Sequence, residues 1–121
     1  MKTILVVEDN PDNMALIDQI LTDEGFIVLK AVMAEEGLEF LKNHHIDLVL
    51  MDISLPKMSG TDAIRAIKSD EVLKSIPVIA VSAHAYTSDK EKVFKAGCDA
   101  YITKPLSEDV LLMAIKKLLK K

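Results

Sequence analysis

Ile46-Asp47-Leu48-Val49-Leu50-Met51-Asp52-Ile53 is an apolar run of strand length, interrupted by Asp47 near its start and Asp52 near its end. A run this uniformly apolar has both faces covered, as happens in a parallel sheet packed between helices and not in a half-solvated antiparallel one. Working outward from it, Val- and Ile-rich runs recur at residues 3–8, 27–31, 78–82 and 100–103, with the central one at 47–52. Each reads as a strand. The segments after them carry helical spacing instead, with Ile17, Ile20 and Leu21, then Leu38 and Leu41, then Ile64 and Ile67, and at the C-terminus Leu111, Ile115 and Leu118. Alternation of strand and helix calls for right-handed crossovers, so the expected fold class is α/β, a doubly wound five-stranded parallel sheet of (βα)5 pattern. Helix signals agree. Asn10 can cap with Pro11 at the first helical position, Gly25 ends that helix, Ser88 and Glu91 form a capping box, and Gly97 stops the fourth helix; each cap is worth ~1 kcal/mol.

The whole chain, 1–121, is expected to be one domain, since a single core suffices at this length. Half of its residues are apolar and 28% are charged, the balance of a globular protein. A net charge of −4 argues against nucleic acid, whose phosphates are gripped by clustered Lys and Arg. Protein partners are the expectation. No apolar run approaches the ~20 residues that span a bilayer, so no membrane contact is expected. The N-terminal run is too brief for a signal peptide, and Cys98 as the single cysteine suits a reducing, cytoplasmic setting.

In open parallel sheets, ligands bind beyond the carboxyl ends of the strands. The residues there are Glu8 and Asp9 after the first strand, Asp52 at the end of the third, Ser82 after the fourth and Lys104 after the fifth. Three acids, a hydroxyl and an amine thus converge from four loops. Two carboxylates ~5 Å apart repel by about 3 kcal/mol at an effective dielectric near 20, so three together call for a cation or for protons. The donors are hard oxygens, which favours Mg²⁺, with Mn²⁺ as a substitute. Together with the Lys104 ammonium, such an ion matches the three carboxylates in formal charge. A metal held by few carboxylates orients and neutralises a phosphoryl group, and Asp52, positioned by its apolar run, is the candidate nucleophile.

With Glu8-Asp9 ending the first strand, Asp52-Ile53-Ser54-Leu55-Pro56-Lys57-Met58-Ser59-Gly60, Val81-Ser82-Ala83, and Gly97-Cys98-Asp99-Ala100-Tyr101-Ile102-Thr103-Lys104-Pro105, the sequence resembles the receiver domain of two-component response regulators over its whole length. Glu8-Asp9-Asn10 and Gly97-Cys98 are similar to single-domain DivK-like regulators within this CheY-like superfamily and to the receiver modules of hybrid kinases. The resemblance implies a flavodoxin-like sheet of strand order 2-1-3-4-5. It implies that Asp52 accepts a phosphoryl group from a sensor histidine kinase or a histidine phosphotransfer protein, and that the domain catalyses only its own phosphorylation and dephosphorylation. Asp9 and Asp52 would bind Mg²⁺ directly, Glu8 through water, and the Ser54 backbone carbonyl would complete the protein ligands. Lys104 would pair with phosphoryl oxygens, and Ser82 would move to meet them while Tyr101 turns inward. A cis bond is implied at Lys104-Pro105. Asn10, Asn13, Leu16, Pro105 and Leu106 would dock the donor, and a downstream protein would read the face of the fourth helix, fifth strand and fifth helix. The domain would be a monomer or a phosphorylation-dependent dimer. Glu at 8 and Ser at 82 replace the commoner Asp and Thr, and both keep the chemistry.

Other residues have plainer readings. Tyr101 is as well explained by packing as by switching, and His84 either tunes water access at the site's rim or is simply exposed. His44 and His45 close the second helix, Cys98 packs, and Lys116, Lys117, Lys120 and Lys121 complement a helix dipole. A phosphohydrolase of the haloacid-dehalogenase type would carry a second Asp where Ser54 stands. A flavin or nucleotide binder of similar topology would not place Glu8 and Asp9 against a phosphate. A receiver module cut from a hybrid histidine kinase or a longer regulator would look the same as a free-standing one.

Overall fold

The computed structural model describes residues 1–54, 58–83 and 87–119, without the side chains of 87–89. Among them the elements alternate as expected: β1 (Thr3–Val7), α1 (Pro11–Asp23), β2 (Ile27–Ala31), α2 (Ala34–Asn43), β3 (Leu48–Asp52), α3 (Gly60–Ser69), β4 (Val78–Ser82), α4 (Thr87–Ala96), β5 (Ala100–Thr103) and α5 (Glu108–Leu119). The strands pair in parallel in the order β2-β1-β3-β4-β5.

Period-two alternation divides each central strand between two cores. Ile4, Val6, Leu48 and Leu50 point to the side covered by α1 and α5, where they meet Ile17, Leu21, Leu111 and Ile115. Leu5, Val7, Val49 and Met51 point to the side of α2, α3 and α4, where they meet Leu41, Ile64, Ile67 and Val93. Every residue of β3 is buried, Asp52 included, which is why its run carries almost no polar residue.

The caps work as their chemistry predicts at three ends. The Asn10 side chain accepts the Asn13 N–H with Pro11 behind it, and Gly25 and Gly97 leave their helices at φ 91° and 116°, where a side chain would be strained. The fourth helix differs from expectation at its start. It begins at Thr87, so Ser88 lies in its first turn and not ahead of it, and the Ser88 side chain is outside the described residues.

At the amino ends of the strands, acids replace missing ladder partners. The Thr3 N–H donates to Asp47 Oδ2 at 2.8 Å, and the Val78 N–H donates to Asp99 Oδ2 at 2.8 Å. Lys68 braces the second of these, donating to Asp99 Oδ2 at 2.9 Å and to the Ile76 carbonyl at 2.8 Å.

At the other end α3 approaches the sheet closely. Ser59 caps it by accepting the Asp62 N–H at 3.2 Å, and Gly60 then sits on the backbone that follows β3. A Cβ at Gly60 would run into the carbonyl oxygen of Asp52 and the Cα of Ile53, with the Asp52 carbonyl carbon only 2.8 Å away. None of these atoms can yield, because they belong to the chain that carries Asp52. Gly60→Ala is therefore expected to destabilise by roughly 1–3 kcal/mol, as overpacking does, although alanine is the better helix former by about 1 kcal/mol. Urea unfolding monitored by circular dichroism checks it; a gain in stability would show that this contact is loose.

Candidate functional site

The site follows from strand order. Because β1 and β3 are neighbours with Val7 beside Met51, the residues leaving their carboxyl ends are forced together. Glu8, Asp9 and Asp52 each contribute a carboxylate oxygen to a cluster whose members all lie within 4.8 Å of one another. Glu8 is 1% and Asp52 2% exposed, whereas Asp9 faces solvent. At this spacing each charged pair costs roughly 3 kcal/mol at an effective dielectric near 20.

Lys104 supplies the opposing charge. Its backbone N–H donates to the Ser82 carbonyl at 2.7 Å, which fixes the loop after β5, and the Lys104–Pro105 peptide is cis. Its ammonium lies 3.2 Å from Asp52 Oδ2 and 3.4 Å from Glu8 Oε1. The Ser54 N–H holds Asp52 Oδ1 at 2.9 Å, and the Asn10 N–H holds Glu8 Oε2 at 3.1 Å. Glu8 Oε1 remains buried with no hydrogen-bond partner among the described residues.

The electrostatics record this imbalance. Burial pushes the Glu8 carboxyl above the ordinary carboxylate range; the Asn10 N–H pulls the other way, the Asp52 charge adds to the rise, and Lys104 opposes it only weakly. For Lys104, burial acts to lower its pKa, but the carboxylates of Asp52 and then Glu8 overcome this and raise it, so it stays charged. Among the described residues, one ammonium stands against three carboxylates, which leaves a deficit of positive charge beside a buried oxygen that an ion pair at 3.4 Å touches but no hydrogen bond satisfies. Glu8, Asp9 and Asp52 thus fit a small divalent cation, and the exposed side of Asp9 gives it an entry.

The remaining candidate residues fall in distinct places. Ser82 is fully buried at the end of β4, one residue past Val81, which pairs with Asp52. Tyr101 lies on β5, half-buried, its ring 6.3 Å from that of Phe94 on α4, so it belongs to the α4–β5 face and not to the acid cluster. Asn10 and Leu16 are exposed along α1 with Asn13 half-buried, while Pro105 is exposed and Leu106 packs against the core under α1 and α5. His44 forms the cap of α2, and His45 reaches Asp47 at 3.1 Å. Cys98 is buried, and burial followed by the Asp99 charge pushes its thiol up to about 11, which suits packing and not reactivity. His84, Lys120, Lys121 and the motif residues Leu55, Pro56 and Lys57 lie outside the described residues.

Main-chain bonds to the carboxylates and one close contact carry no plain mark in the sequence. The N–H bonds of Asn10 to Glu8 and of Ser54 to Asp52 involve main chain, which leaves no trace in residue type. Gly60 had a signal, a glycine in a helix's first turn where alanine would serve better, but its meaning depends on a contact with Asp52.

A parallel sheet of this order, with an acid cluster and a lysine at its carboxyl edge, defines a class of α/β domains whose carboxyl edge could hold a metal ion. Within that class, the family model for the response regulator receiver domain matches residues 4–116. The chain is 41% identical over 118 residues to the polar-differentiation response regulator DivK of Brucella ovis, covering 98% of this chain and 96% of that one. Among solved structures, a CheY-like response regulator receiver domain protein from Methanospirillum hungatei superposes with a TM-score of 0.91 at 35% identity, covering 98% of this chain and 94% of that one. The receiver domain of a sensor histidine kinase from Pseudomonas aeruginosa, with a magnesium ion coordinated in its active site cleft, superposes with a TM-score of 0.92 at 30% identity, covering 99% and 98%. The chain belongs to the response regulator receiver domain family, the receivers of two-component signalling.

The raised Glu8 pKa has a signed consequence. In the metal-free protein the native state holds a proton on Glu8 that the unfolded state releases at lower pH, so this contribution to stability is complete below 4.5 and lost as pH rises through the native value. The stability advantage of Glu8→Gln over wild type should therefore grow across that window and then level off. Urea unfolding at a series of pH values without divalent ions checks it; a difference independent of pH would contradict the burial of this charge.

Proposed function

We propose that Asp52 is the phosphoacceptor of a receiver domain spanning residues 1–121, loaded in the presence of Mg²⁺ by a sensor histidine kinase or a histidine phosphotransfer protein. The observation that carries this is the buried Asp52 carboxylate, held at one oxygen by the Ser54 N–H and at the other by Lys104, inside a cluster short of positive charge. The magnesium in the Pseudomonas aeruginosa receiver, a relative at 30% identity, supports the same ion here.

In this reading Asp9, Asp52 and the Ser54 carbonyl would hold Mg²⁺ directly and Glu8 through water, and the ion would supply positive charge against the incoming phosphoryl oxygens. An Asp52 oxygen attacks phosphorus, the P–N bond of the phosphohistidine breaks, and the imidazole leaves with the electron pair. Lys104 gives up its contact with Asp52 to pair with a phosphoryl oxygen, and Ser82 donates its hydroxyl to another. Hydrolysis of the acyl phosphate resets the domain, so its catalysis is confined to itself.

Phosphorylation then biases two conformers through the loop after β4, with Tyr101 following inward. The output is a protein contact on the face of α4, β5 and α5, where a 330 Å³ groove runs beside Tyr101, Val110, Met113 and Ala114. Val110 and Met113 expose 52% and 71% of their surface there, which suits an apolar partner. No helix among the described residues is long and apolar enough to cross a membrane, in keeping with a cytoplasmic site of action.

Intact-mass spectrometry after acetyl phosphate and Mg²⁺ is expected to show one added phosphoryl group on wild type and none on Asp52→Asn, with labelling abolished by chelation. Equal labelling of the amide variant would overturn the assignment. Leu16 is 44% exposed on α1 and nominated for donor docking. Leu16→Glu should slow transfer from a phosphohistidine donor roughly tenfold or more, the effect of losing about 1.4 kcal/mol of binding, while acetyl phosphate labelling is retained. A parallel fall in both rates would place the defect in the site and not in docking.

A further inference from the structure

Among the described residues, Asn10 is hydrogen-bonded both to the acid cluster and to the start of α1. Its N–H donates to Glu8 Oε2 at 3.1 Å, its side chain accepts the Asn13 N–H at 3.0 Å, and its carbonyl accepts the Met14 N–H at 2.9 Å. Asp9 precedes it in the cluster, and Pro11 follows it with a fixed φ and no N–H of its own. A displacement of the Glu8 carboxylate therefore reaches α1 through a short, stiff connection. Beyond it stand Asn13 in the first turn and Leu16 in the next, the residues nominated for docking.

We propose that Asn10 is a positioning residue that couples cation occupancy of the Glu8, Asp9 and Asp52 cluster to the first turn of α1. A divalent ion draws the two carboxylates of the β1–α1 loop inward. The Asn10 N–H follows Glu8, the cap tightens on Asn13, and the docking side of α1 is set only when the site holds the ion its chemistry needs. A donor would thus meet a more tightly capped α1 on a loaded receiver than on an empty one. This rests on the cation site proposed above and adds a regulation of it.

Coupling of two equilibria is reciprocal, which gives the test two readouts independent of phosphorylation. Amide hydrogen exchange followed by NMR, with and without Mg²⁺, should show the wild-type Asn13 amide slowed by the ion, on the order of fivefold for one cap. In Asn10→Ala, which keeps the N–H to Glu8 but deletes the cap, exchange at Asn13 should no longer respond to Mg²⁺. Mg²⁺ affinity measured by calorimetry should weaken by the same factor, and Asn10→Ser, which restores a capping oxygen, should recover both. Asn10→Gly, a milder cap deletion, gives the same comparison if the alanine variant does not fold. Mg²⁺ binding that leaves wild-type Asn13 exchange unchanged, or protection that persists in Asn10→Ala, would overturn the coupling alone. A flat calorimetric titration of the wild type would overturn the cation site as well.

Discussion

Mutual repulsion among the Glu8, Asp9 and Asp52 carboxylates, opposed by the Lys104 ammonium, is the constraint around which the carboxyl edge of the sheet is arranged. The strand order makes it unavoidable, because placing β1 beside β3 brings Glu8 against Asp52. Each charged pair costs roughly 3 kcal/mol, a sizeable fraction of the 5–15 kcal/mol that stabilises an ordinary domain. Such an arrangement persists because the two apolar cores hold β1 and β3 in place whatever their ends prefer. The strain stays local, at an edge open to solvent through Asp9. A site of this kind is poised to take up positive charge, and the proposed phosphoryl transfer to Asp52 rests on that.

Acids at the two ends of the sheet behave oppositely, and the difference lies in what meets them. Asp47, at the amino end, accepts the Thr3 N–H, and that bond holds its carboxyl below the usual range. Asp99 is satisfied there by Val78 and Lys68. Backbone donors emerge from that end of parallel strands and find partners within the chain. Glu8, at the carboxyl end, is buried with an oxygen left over, and burial drives its carboxyl up. One end closes the fold and the other holds chemistry back for a ligand.

Much of this was legible in residue order. The uniform apolarity of β3 announced a strand covered on both sides, and the recurrence of such runs with helical spacing between them announced the doubly wound sheet. Glu8, Asp9, Asp52 and Lys104 could be brought together before any geometry was known, since in such a sheet the carboxyl ends of neighbouring strands share one edge. What stayed hidden depends on main chain or on three-dimensional contact. The N–H bonds of Asn10 and Ser54 to carboxylates carry no compositional mark, and the role of Gly60 appears only when α3 is laid on the chain after Asp52. Tyr101 had two readings because a half-buried aromatic on an edge strand serves packing and signalling equally well; its ring beside Phe94 places it on the α4–β5 face. The start of α4 at Thr87 lies a residue or two ahead of its capping signal, because a helix end is fixed by local hydrogen bonds as well as by residue type.

The most direct measurement is electron paramagnetic resonance of Mn²⁺, whose free-ion signal disappears on binding. Titration of the wild-type protein should remove one equivalent of ion per chain, and a variant carrying Asp9→Asn together with Asp52→Asn should leave the free-ion signal intact. Equal uptake by both proteins would contradict a cation site built from these carboxylates, and with it the assignment of the sheet's carboxyl edge.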